Sequence, residues 1–374
     1  MFKYIKTLFP VALIIAGITG CSDVNRSDSS EISVRLNDML DETISEYQAP
    51  GAMLAIKLPD GSVAFHTAGY ADMETKEPLT ADHLFRIGST TKTITAVAVL
   101  TLYQEGLLSL DASVETILPG VIPEYGDDIT VRMLLNHTSG LKEYVVCPFE
   151  ESYVFYILVD QPARHWPPQD LVDIAVEYGL ADTPGQTFMY SNTNYILLGM
   201  IIEAISGQSY EDYIQTHIFD VMSMSHSLVP VEKGFSDDFA HGYYEKDGDS
   251  VLYDYSIQDP SAFWAAGNMI STPGDLLTWL EALATGALLN EDAFKQQFQL
   301  VDIGEEGQEA KYGLGILAAE GAVGHNGSVL GYQTQMFARN DSYMVIYTNC
   351  YYESQDNLSQ IIYDRTTAII DDHY

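Results

Sequence analysis

Strand-like segments lie at both ends of this 374-residue chain, and a long helical region separates them. Residues 51–72 form two apolar runs joined by Asp60-Gly61, a pair that is typical of the tight turn between antiparallel strands. Short apolar runs broken by glycine or by Asn-Asp recur from 311 to 350, whereas residues 106–280 mostly follow helical periodicity. We therefore predict an α/β fold whose antiparallel sheet is built from both chain ends and flanked by helices, with an all-helical second lobe.

The two predicted lobes divide the chain unevenly. The sheet lobe is expected to cover about residues 32–105 and 260–374, and the helical lobe about residues 106–259. Within the helical lobe, the acidic and tyrosine-rich stretch 234–255 is predicted to be a solvated loop. The sequence contains no internal repeat, so residues 32–374 are expected to form one composite domain.

The first twenty residues are typical of a secretion signal. Lys3 and Lys6 precede an apolar stretch from Leu8 to Ile18, which is too short to be a good membrane span. The residues Ile18-Thr19-Gly20-Cys21 resemble the lipobox of bacterial lipoproteins. The resemblance implies cleavage before Cys21 and attachment of lipid to its thiol. The alternative is an ordinary signal with an incidental cysteine.

This signal implies an exported protein that is lipid-anchored in the bacterial cell envelope. Residues 1–20 are expected to be removed, and residues 21–31 are predicted to form a flexible tether before a helix near 31–47. Ser22, directly after Cys21, favours the outer membrane facing the periplasm if the host is Gram-negative.

The charge balance excludes some classes of partner. The chain carries 53 acidic and 17 basic residues, a net charge of −36, which repels nucleic acids and anionic lipid surfaces. Membrane contact is therefore expected only through the lipid anchor.

Cys147 and Cys350 lie far apart in sequence without a disulfide framework, so free thiols are expected. No Cys/His cluster has zinc-like spacing, and we expect no metal or cofactor.

A serine and a lysine three positions apart open the apolar helix in "RIGSTTKTITAVAVLTL". Lys92 lies on the same helix face as Ser89, so its amine can reach the serine hydroxyl. Burial of this helix favours the neutral amine, and the helix N-terminus offers backbone N–H groups for an oxyanion. A second Ser-x-x-Lys, at Ser139 and Lys142, lacks this setting because Gly140 follows its serine. Ser89 is therefore the preferred candidate nucleophile.

The lysine must lose a proton before it can serve as a base. Lowering a lysine pKa from about 10.4 to about 7 costs roughly 4.6 kcal/mol, and the negative net charge opposes it. Tyr190 and Asn192 are candidates for the second polar group, because they lie in a loop that enters a helix at about Asn194. The equally weighted alternative is a tyrosine that only caps this loop. A second Tyr-x-Asn, Tyr347–Asn349, lies in an apolar strand, where a tyrosine is expected to pack.

A glycine-rich strand, "GAVGHNGSVLGY", supplies the third element. Glycines weaken the interior of a strand unless another group must approach its backbone closely. His325 is flanked by small residues there, as expected on an edge strand that lines a cleft. The alternative is a surface histidine in a glycine-rich hairpin.

Together these three elements resemble the penicillin-recognising serine hydrolases, which include class C β-lactamases, D-Ala-D-Ala carboxypeptidases of the same fold, esterases and D-aminopeptidases. The similarity covers about residues 33–350 and includes "LLNHTSGL" and "WAAGNMISTPGDL". It implies the β-lactamase/transpeptidase-like fold, with the site between a sheet domain and a helical domain. The family's motifs Ser-x-x-Lys, Tyr-x-Asn and Lys/His-x-Gly occur in order as Ser89-Thr90-Thr91-Lys92, Tyr190-Ser191-Asn192 and His325-Asn326-Gly327.

The resemblance implies a role for each matching residue. Ser89 would be the acylated nucleophile and Lys92 its proton partner. Tyr190 would relay the proton to the leaving group, and Asn192 would bind the substrate amide. The backbone N–H groups of Ser89 and Ser328 would form the oxyanion hole. Which of Lys92 and Tyr190 is the acylation base stays open.

One position departs from the class C β-lactamases, which carry lysine where this chain has His325. Histidine resembles the D-Ala-D-Ala carboxypeptidase and esterase-like branches, and it is mostly neutral at pH 7, which disfavours recognition of a β-lactam carboxylate. His325 and Gly327 are expected to contribute to substrate binding. Trp264 either lines the cleft or packs in the core.

The predicted function is a serine hydrolase that works through an acyl-enzyme. A D-Ala-D-Ala peptide of the cell wall is the first candidate substrate, followed by a small ester and then a β-lactam. A non-catalytic envelope binding lipoprotein is the alternative from another class. An α/β-hydrolase is disfavoured because the sequence contains no Gly-x-Ser-x-Gly. The sequence does not indicate the oligomeric state.

Overall fold

A nine-stranded antiparallel sheet forms the centre of the protein. The computed structural model describes residues 24–146, 158–235, 238–246, 251–303, 310–352 and 357–374. The strands are β1 Gly51–Lys57, β2 Val63–Asp72, β3 Glu77–Pro78, β4 Phe85–Arg86, β5 Tyr243–Glu245, β6 Leu252–Asp254, β7 Ile270–Ser271, β8 Val301–Asp302, β9 Lys311–Tyr312, β10 Leu317–Ala319, β11 Ala322–Val329, β12 Tyr332–Arg339, β13 Ser342–Thr348 and β14 Cys350–Tyr351. In the large sheet they are arranged in the order β3-β2-β1-β13-β12-β11-β10-β9-β8.

The two chain ends meet in the middle of this sheet. Strand β1 pairs with β2 through the predicted hairpin, whose Gly61 has a φ of 84° in the left-handed region that a tight turn requires. On its other side β1 pairs antiparallel with β13, and Leu54 lies opposite Ile346. The predicted fold class, a sheet built from both ends of the chain, is therefore confirmed.

Helices pack on both faces of the sheet, and most of them lie in sequence between the N-terminal strands and the C-terminal strands. They are α1 Val24–Tyr47, α2 Thr91–Gln104, α3 Val114–Ile117, α4 Val131–Leu135, α5 Pro168–Glu177, α6 Asn192–Ser206, α7 Tyr210–Ile214, α8 Asp220–Met222, α9 Trp264–Gly267, α10 Pro273–Thr285, α11 Glu291–Gln297 and α12 Leu358–His373, with a π-helical turn at Gln215–Phe219 and 3-10 turns at Gly88–Thr90, Tyr144–Val146 and Pro260–Ala262. Over the described ranges, none of these helices combines the length and the apolar character needed to cross a membrane.

Alternation along the central strands builds a separate core on each face of the sheet. In β1, Leu54 and Ile56 join one cluster, which includes residues of α1 and α12. Met53 and Ala55 point to the other face and join the main core, to which α2 and α10 contribute. A period of two residues is what a strand buried on both faces requires.

Helix α1 begins earlier than the sequence predicts. Residues 24–31, which were assigned to a flexible tether, are helical and continue directly into the predicted helix. The stretch 24–47 contains neither glycine nor proline, so nothing in it stops the helix from extending toward the N-terminus. The predicted signal and Cys21 lie outside the described residues.

The acidic, tyrosine-rich stretch 234–255 is not simply a solvated loop. Its strands β5 and β6 pair with each other, and β5 pairs in parallel with β14. This pairing draws Tyr243 and Tyr244 into the protein interior, where both are buried. The loop prediction is therefore wrong for these strands. Cys350 of β14 is a buried free thiol, whereas Cys147 lies outside the described residues.

Candidate active site

The Ser89 turn lies directly against strand β11. Ser89 is in the 3-10 turn Gly88–Thr90, immediately before α2. A Cβ atom on Gly88 would lie 2.6 Å from the backbone nitrogen of Ser328, and Gly88 has a φ of 54°. A side chain on Gly327 would overlap the carbonyl oxygen of Ile87. Glycine is therefore needed on both sides of this contact, and the backbone N–H groups of Ser89 and Ser328 come close together.

The amine of Lys92 lies within hydrogen-bond distance of the candidate nucleophile. Its Nζ is 3.0 Å from Ser89 Oγ. It is also 2.7 Å from Asn192 Oδ1 and 2.6 Å from the carbonyl oxygen of Ala266. Lys92 is completely buried, so these groups replace water around the amine. The structure therefore brings together the predicted serine, lysine and asparagine.

The hydrogen-bond partners of Lys92 match a neutral amine. Asn192 Oδ1 and the Ala266 carbonyl can only accept hydrogen bonds. A neutral amine can donate one N–H to each of them and direct its lone pair at the hydroxyl of Ser89. Burial lowers the pKa of Lys92 to about 7, and the Glu143 carboxylate partly opposes this shift. The neutral amine is therefore well populated near neutral pH.

Tyr190 completes the predicted group. Its ring centroid lies 4.9 Å from Lys92 Nζ, and its hydroxyl lies close enough to the Ser89 side chain to interact with it. Burial of the hydroxyl raises the pKa of Tyr190, although the side chain as a whole is 39% exposed. Tyr190 is therefore a neutral phenol at physiological pH, and it is more than a loop-capping residue.

The segment Asn136–Glu143 holds the Tyr-x-Asn loop in place, a role that sequence reasoning did not assign to it. The backbone N–H of Ser191 donates to His137 Nδ1 at 3.2 Å, and that of Asn192 donates to Glu143 Oε2 at 2.5 Å. The hydroxyl of Thr193 donates to the Lys142 carbonyl at 2.7 Å. Helix α6 consequently begins at Asn192, two residues before the predicted start.

Glu143 supplies the carboxyl group of this segment. Burial raises the pKa of Glu143, and its hydrogen bonds from the backbone of Asn192 and Val145 oppose that rise. A carboxylate this close to a buried amine stabilises the ammonium form of Lys92. The signal that could have located Glu143 is its position two residues after "LLNHTSGL", a stretch that resembles the family without carrying one of its three motifs.

His325 is buried and uses both ring nitrogens within the protein. Its Nδ1 lies 2.5 Å from the carbonyl oxygen of Asn326, which can only accept, so Nδ1 carries the proton. Its Nε2 must then accept a hydrogen bond from the hydroxyl of Tyr312, which lies 2.9 Å away. Burial also lowers the pKa of His325 to about 3. The ring is neutral and presents neither a charge nor a free N–H to a substrate.

The segment "WAAGN" contributes through its backbone rather than through its tryptophan. Trp264 packs against Tyr210 with ring centroids 5.1 Å apart, and its indole donates to Glu211 at 2.9 Å. It is therefore a core residue, and the following Ala266 supplies the carbonyl that binds Lys92. Arg86, fully buried, donates to Asn268 at the end of this segment.

The second matches to the motifs lie elsewhere and have structural roles. The hydroxyl of Ser139 donates to Asn194 Oδ1 at 2.6 Å, and Gly140 has a φ of 73°. Tyr347 is fully buried in β13 and stacks on Phe85 with ring centroids 4.5 Å apart. Within the part of the chain that the structure describes, no group of three His, Cys, Asp or Glu residues could hold a metal ion.

A serine beside a buried lysine and a neutral tyrosine, with backbone N–H groups opposite, defines a serine hydrolase of the acyl-enzyme type. The chain belongs to the Beta-lactamase family, whose model matches residues 36–368. It is 31% identical to penicillin-binding protein 4* of Bacillus subtilis (strain 168) over 79% of this chain. That match spans 66% of the relative, just under two thirds of its length.

Solved structures agree with this assignment. The chain is similar to the D-amino acid amidase of Ochrobactrum anthropi SV3, with 27% identity, a TM-score of 0.81 and coverage of 92% of this chain and 100% of the other. It is also similar to a D-stereospecific amidohydrolase from Streptomyces sp., with 29% identity, a TM-score of 0.77 and coverage of 85% and 94%. The prediction of a β-lactamase-related serine hydrolase is confirmed.

Proposed function

We propose that this protein hydrolyses an amide bond of a D-amino-acid peptide or amide, through an acyl-enzyme on Ser89. The observation that carries the proposal is the 3.0 Å distance between Nζ of the fully buried Lys92 and Ser89 Oγ. Because burial lowers the pKa of Lys92 to about 7, the amine can take the serine proton without a metal or a histidine base.

In the acylation step, Ser89 Oγ forms a bond to the substrate carbonyl carbon while its proton moves to Lys92 Nζ. The backbone N–H groups of Ser89 and Ser328 stabilise the negative charge that develops on the carbonyl oxygen. Tyr190 gives its proton to the leaving nitrogen as the carbon–nitrogen bond breaks, and Lys92 restores that proton. A water molecule then attacks the carbonyl carbon of the acyl group. The bond to Ser89 Oγ breaks, Ser89 regains its proton, and the carboxylic acid is released.

The pKa shifts favour Lys92 over Tyr190 as the acylation base. Burial raises the pKa of Tyr190 and lowers that of Lys92, so the phenol keeps its proton at a pH where the amine loses its own. A base is most effective when its pKa lies near the working pH. Lys92 meets this condition, and Tyr190 is better suited to donating a proton to the leaving group.

The substrate class is supported by the neighbours and by the state of His325. Two similar structures are named as a D-amino acid amidase and a D-stereospecific amidohydrolase. The neutral His325 ring, occupied on both nitrogens, supplies no cation for a substrate carboxylate. Because a peptide ending in D-Ala-D-Ala carries a C-terminal carboxylate, uncharged D-amino-acid amides rank before it as candidate substrates, with small esters and β-lactams after them.

The test compares several substrates, of which one pair, a D-Ala-D-Ala peptide and its C-terminal amide, differs only in the carboxylate. Purified protein is incubated with a peptide ending in D-Ala-D-Ala, with its C-terminal amide, with D-Phe amide, with a phenyl ester and with a fluorescent penicillin. We expect release of amine from the amides and an acyl mass on Ser89 that Ser89→Ala abolishes. If the protein turns over none of these compounds, the proposal is overturned. Ligand binding that survives in Ser89→Ala, together with an inactive parent, would favour the binding-lipoprotein alternative.

We also propose that the protein acts in the cell envelope, held by a lipid on Cys21. The support is the sequence from Lys3 to Cys21, which resembles a lipoprotein signal. In a lipoprotein-processing host, the parent is expected in the membrane fraction and the Cys21→Ser variant in the soluble fraction. An equal distribution of parent and variant would contradict the anchor.

A further inference from the structure

A pocket of about 170 Å³ opens beside Ser328, next to the proposed oxyanion hole. Its walls come from three parts of the chain: the end of β11, the small sheet formed by β5 and β14, and the turns before α9 and after Glu143. Apart from Ser328 the lining is apolar or aromatic, and it consists of Val145, Tyr244, Phe263, Val329, Leu330 and Tyr351.

The position of the pocket along β11 identifies the part of the substrate that it can receive. The ring of His325 lies 6.4 Å from that of Tyr190, and Gly327 lies against Ser89. Val329 is four residues beyond His325, about 13 Å along an extended strand. Ser89 thus lies between Tyr190 and the pocket. Because Tyr190 serves the leaving group, the pocket lies on the acyl side of the scissile bond.

The size and lining of the pocket indicate the chemistry of that group. A dry apolar cavity of about 150 Å³ is known to hold benzene, so a volume of about 170 Å³ suits a phenyl ring or a branched aliphatic chain. A methyl group would leave most of the space empty. A charged group would lose its hydration without finding an ionic partner among Val145, Phe263 and Leu330.

The geometry points to a specificity pocket that binds an aromatic or large aliphatic side chain on the acyl residue of the substrate. This inference rests on the proposed function and narrows it: among D-amino-acid amides, those with a bulky acyl side chain are better substrates than those of D-alanine. Val145 and Phe263 determine the preference, because they form the walls opposite β11.

The experiment uses the p-nitroanilides of D-alanine and D-phenylalanine, which share a leaving group. For the parent protein, kcat/KM is expected to be at least about tenfold higher for the D-phenylalanine compound, the order of discrimination that apolar pockets achieve. A ratio near one, or a preference for D-alanine, would overturn the inference. Turnover of neither compound, together with no penicillin label on Ser89, would be a failure of the proposed function instead.

Substitutions at Val145 locate the preference in the pocket. Val145→Phe fills the space and is expected to lower the D-phenylalanine to D-alanine ratio by about tenfold. Val34→Phe makes the same change on the exposed face of α1, where Val34 is 57% exposed, and is expected to leave the ratio unchanged. If Val145→Phe does not fold, Val145→Ala enlarges the pocket and is expected to raise the D-tryptophan to D-phenylalanine ratio. An unchanged ratio in a folded Val145 variant would contradict the inference.

Discussion

The amine of Lys92 lies 2.6 Å from the carbonyl oxygen of Ala266, a backbone group 174 positions further along the chain. This acceptor, with Asn192, occupies the two N–H groups that a neutral lysine possesses. It thereby orients the remaining lone pair toward Ser89. The chain has a net charge of −36, yet this lysine is neutral near pH 7 because local burial lowers the pKa of its amine more than the Glu143 carboxylate raises it.

The pH dependence of kcat/KM is expected to follow Lys92. The neutral amine is the active form, and it predominates above its pKa of about 7. Activity should therefore fall about tenfold per pH unit below about 7 and level off above it. His325 does not produce this limb, because burial lowers its pKa to about 3. A rate that is constant between pH 5.5 and 8.5 would contradict the assignment of Lys92 as base.

Glu143→Gln is expected to move this acidic limb to lower pH. The carboxylate stabilises the ammonium form of Lys92, so its removal lowers the pKa of the amine further. The measurement is a kcat/KM profile of the variant beside that of the parent. Glu281→Gln is the matched control, because Glu281 pairs with Lys57 at the surface. A limb that stays in place or moves upward in Glu143→Gln would show that Glu143 does not influence Lys92.

Tyr190→Phe is expected to lower kcat for amides by about 10² to 10⁴, the usual contribution of a general acid. The ring should keep its packing on His137, from which it lies 4.3 Å away between centroids, so the fold should survive. Tyr347→Phe serves as the control from the other Tyr-x-Asn match, because the Tyr347 hydroxyl is buried without a hydrogen-bond partner. Equal rates for the two variants would exclude Tyr190 from proton transfer.

Alanine substitutions at the two candidate serines should affect different properties, acylation for Ser89 and stability for Ser139. Ser89→Ala is expected to abolish acyl-enzyme formation and to change the free energy of unfolding less than Ser139→Ala does, because Ser89 is only partly buried and Lys92 keeps its hydrogen bonds to Asn192 and Ala266. Ser139→Ala removes the buried hydrogen bond to Asn194 and should lower that free energy by about 1–3 kcal/mol, while acylation still occurs. Urea denaturation and intact-protein mass together measure both effects. Acyl mass retained in Ser89→Ala would refute the assignment of the nucleophile.

The sequence by itself determined the local features. The two apolar runs of 51–72 and the Asp60-Gly61 turn between them identified the hairpin, because strand geometry and turn conformation depend on neighbouring residues alone. The spacing of Ser89 and Lys92 on one helix face follows from helical geometry in the same way. The glycine at 327 was correctly interpreted as a site of close backbone approach, and the structure shows Ile87 and Ser89 there.

Only the tertiary structure decided which distant groups surround those motifs. The Ala266 carbonyl and the Glu143 carboxylate reach the site from segments whose sequence carries no catalytic pattern, so spacing could not reveal them. The two occupied nitrogens of His325 likewise depend on Tyr312, a neighbour across the fold. Burial sets the pKa of Lys92, and burial is a property of the packed protein: the desolvation that makes this amine neutral exists only after α2, α6 and the segment around Ala266 have packed together.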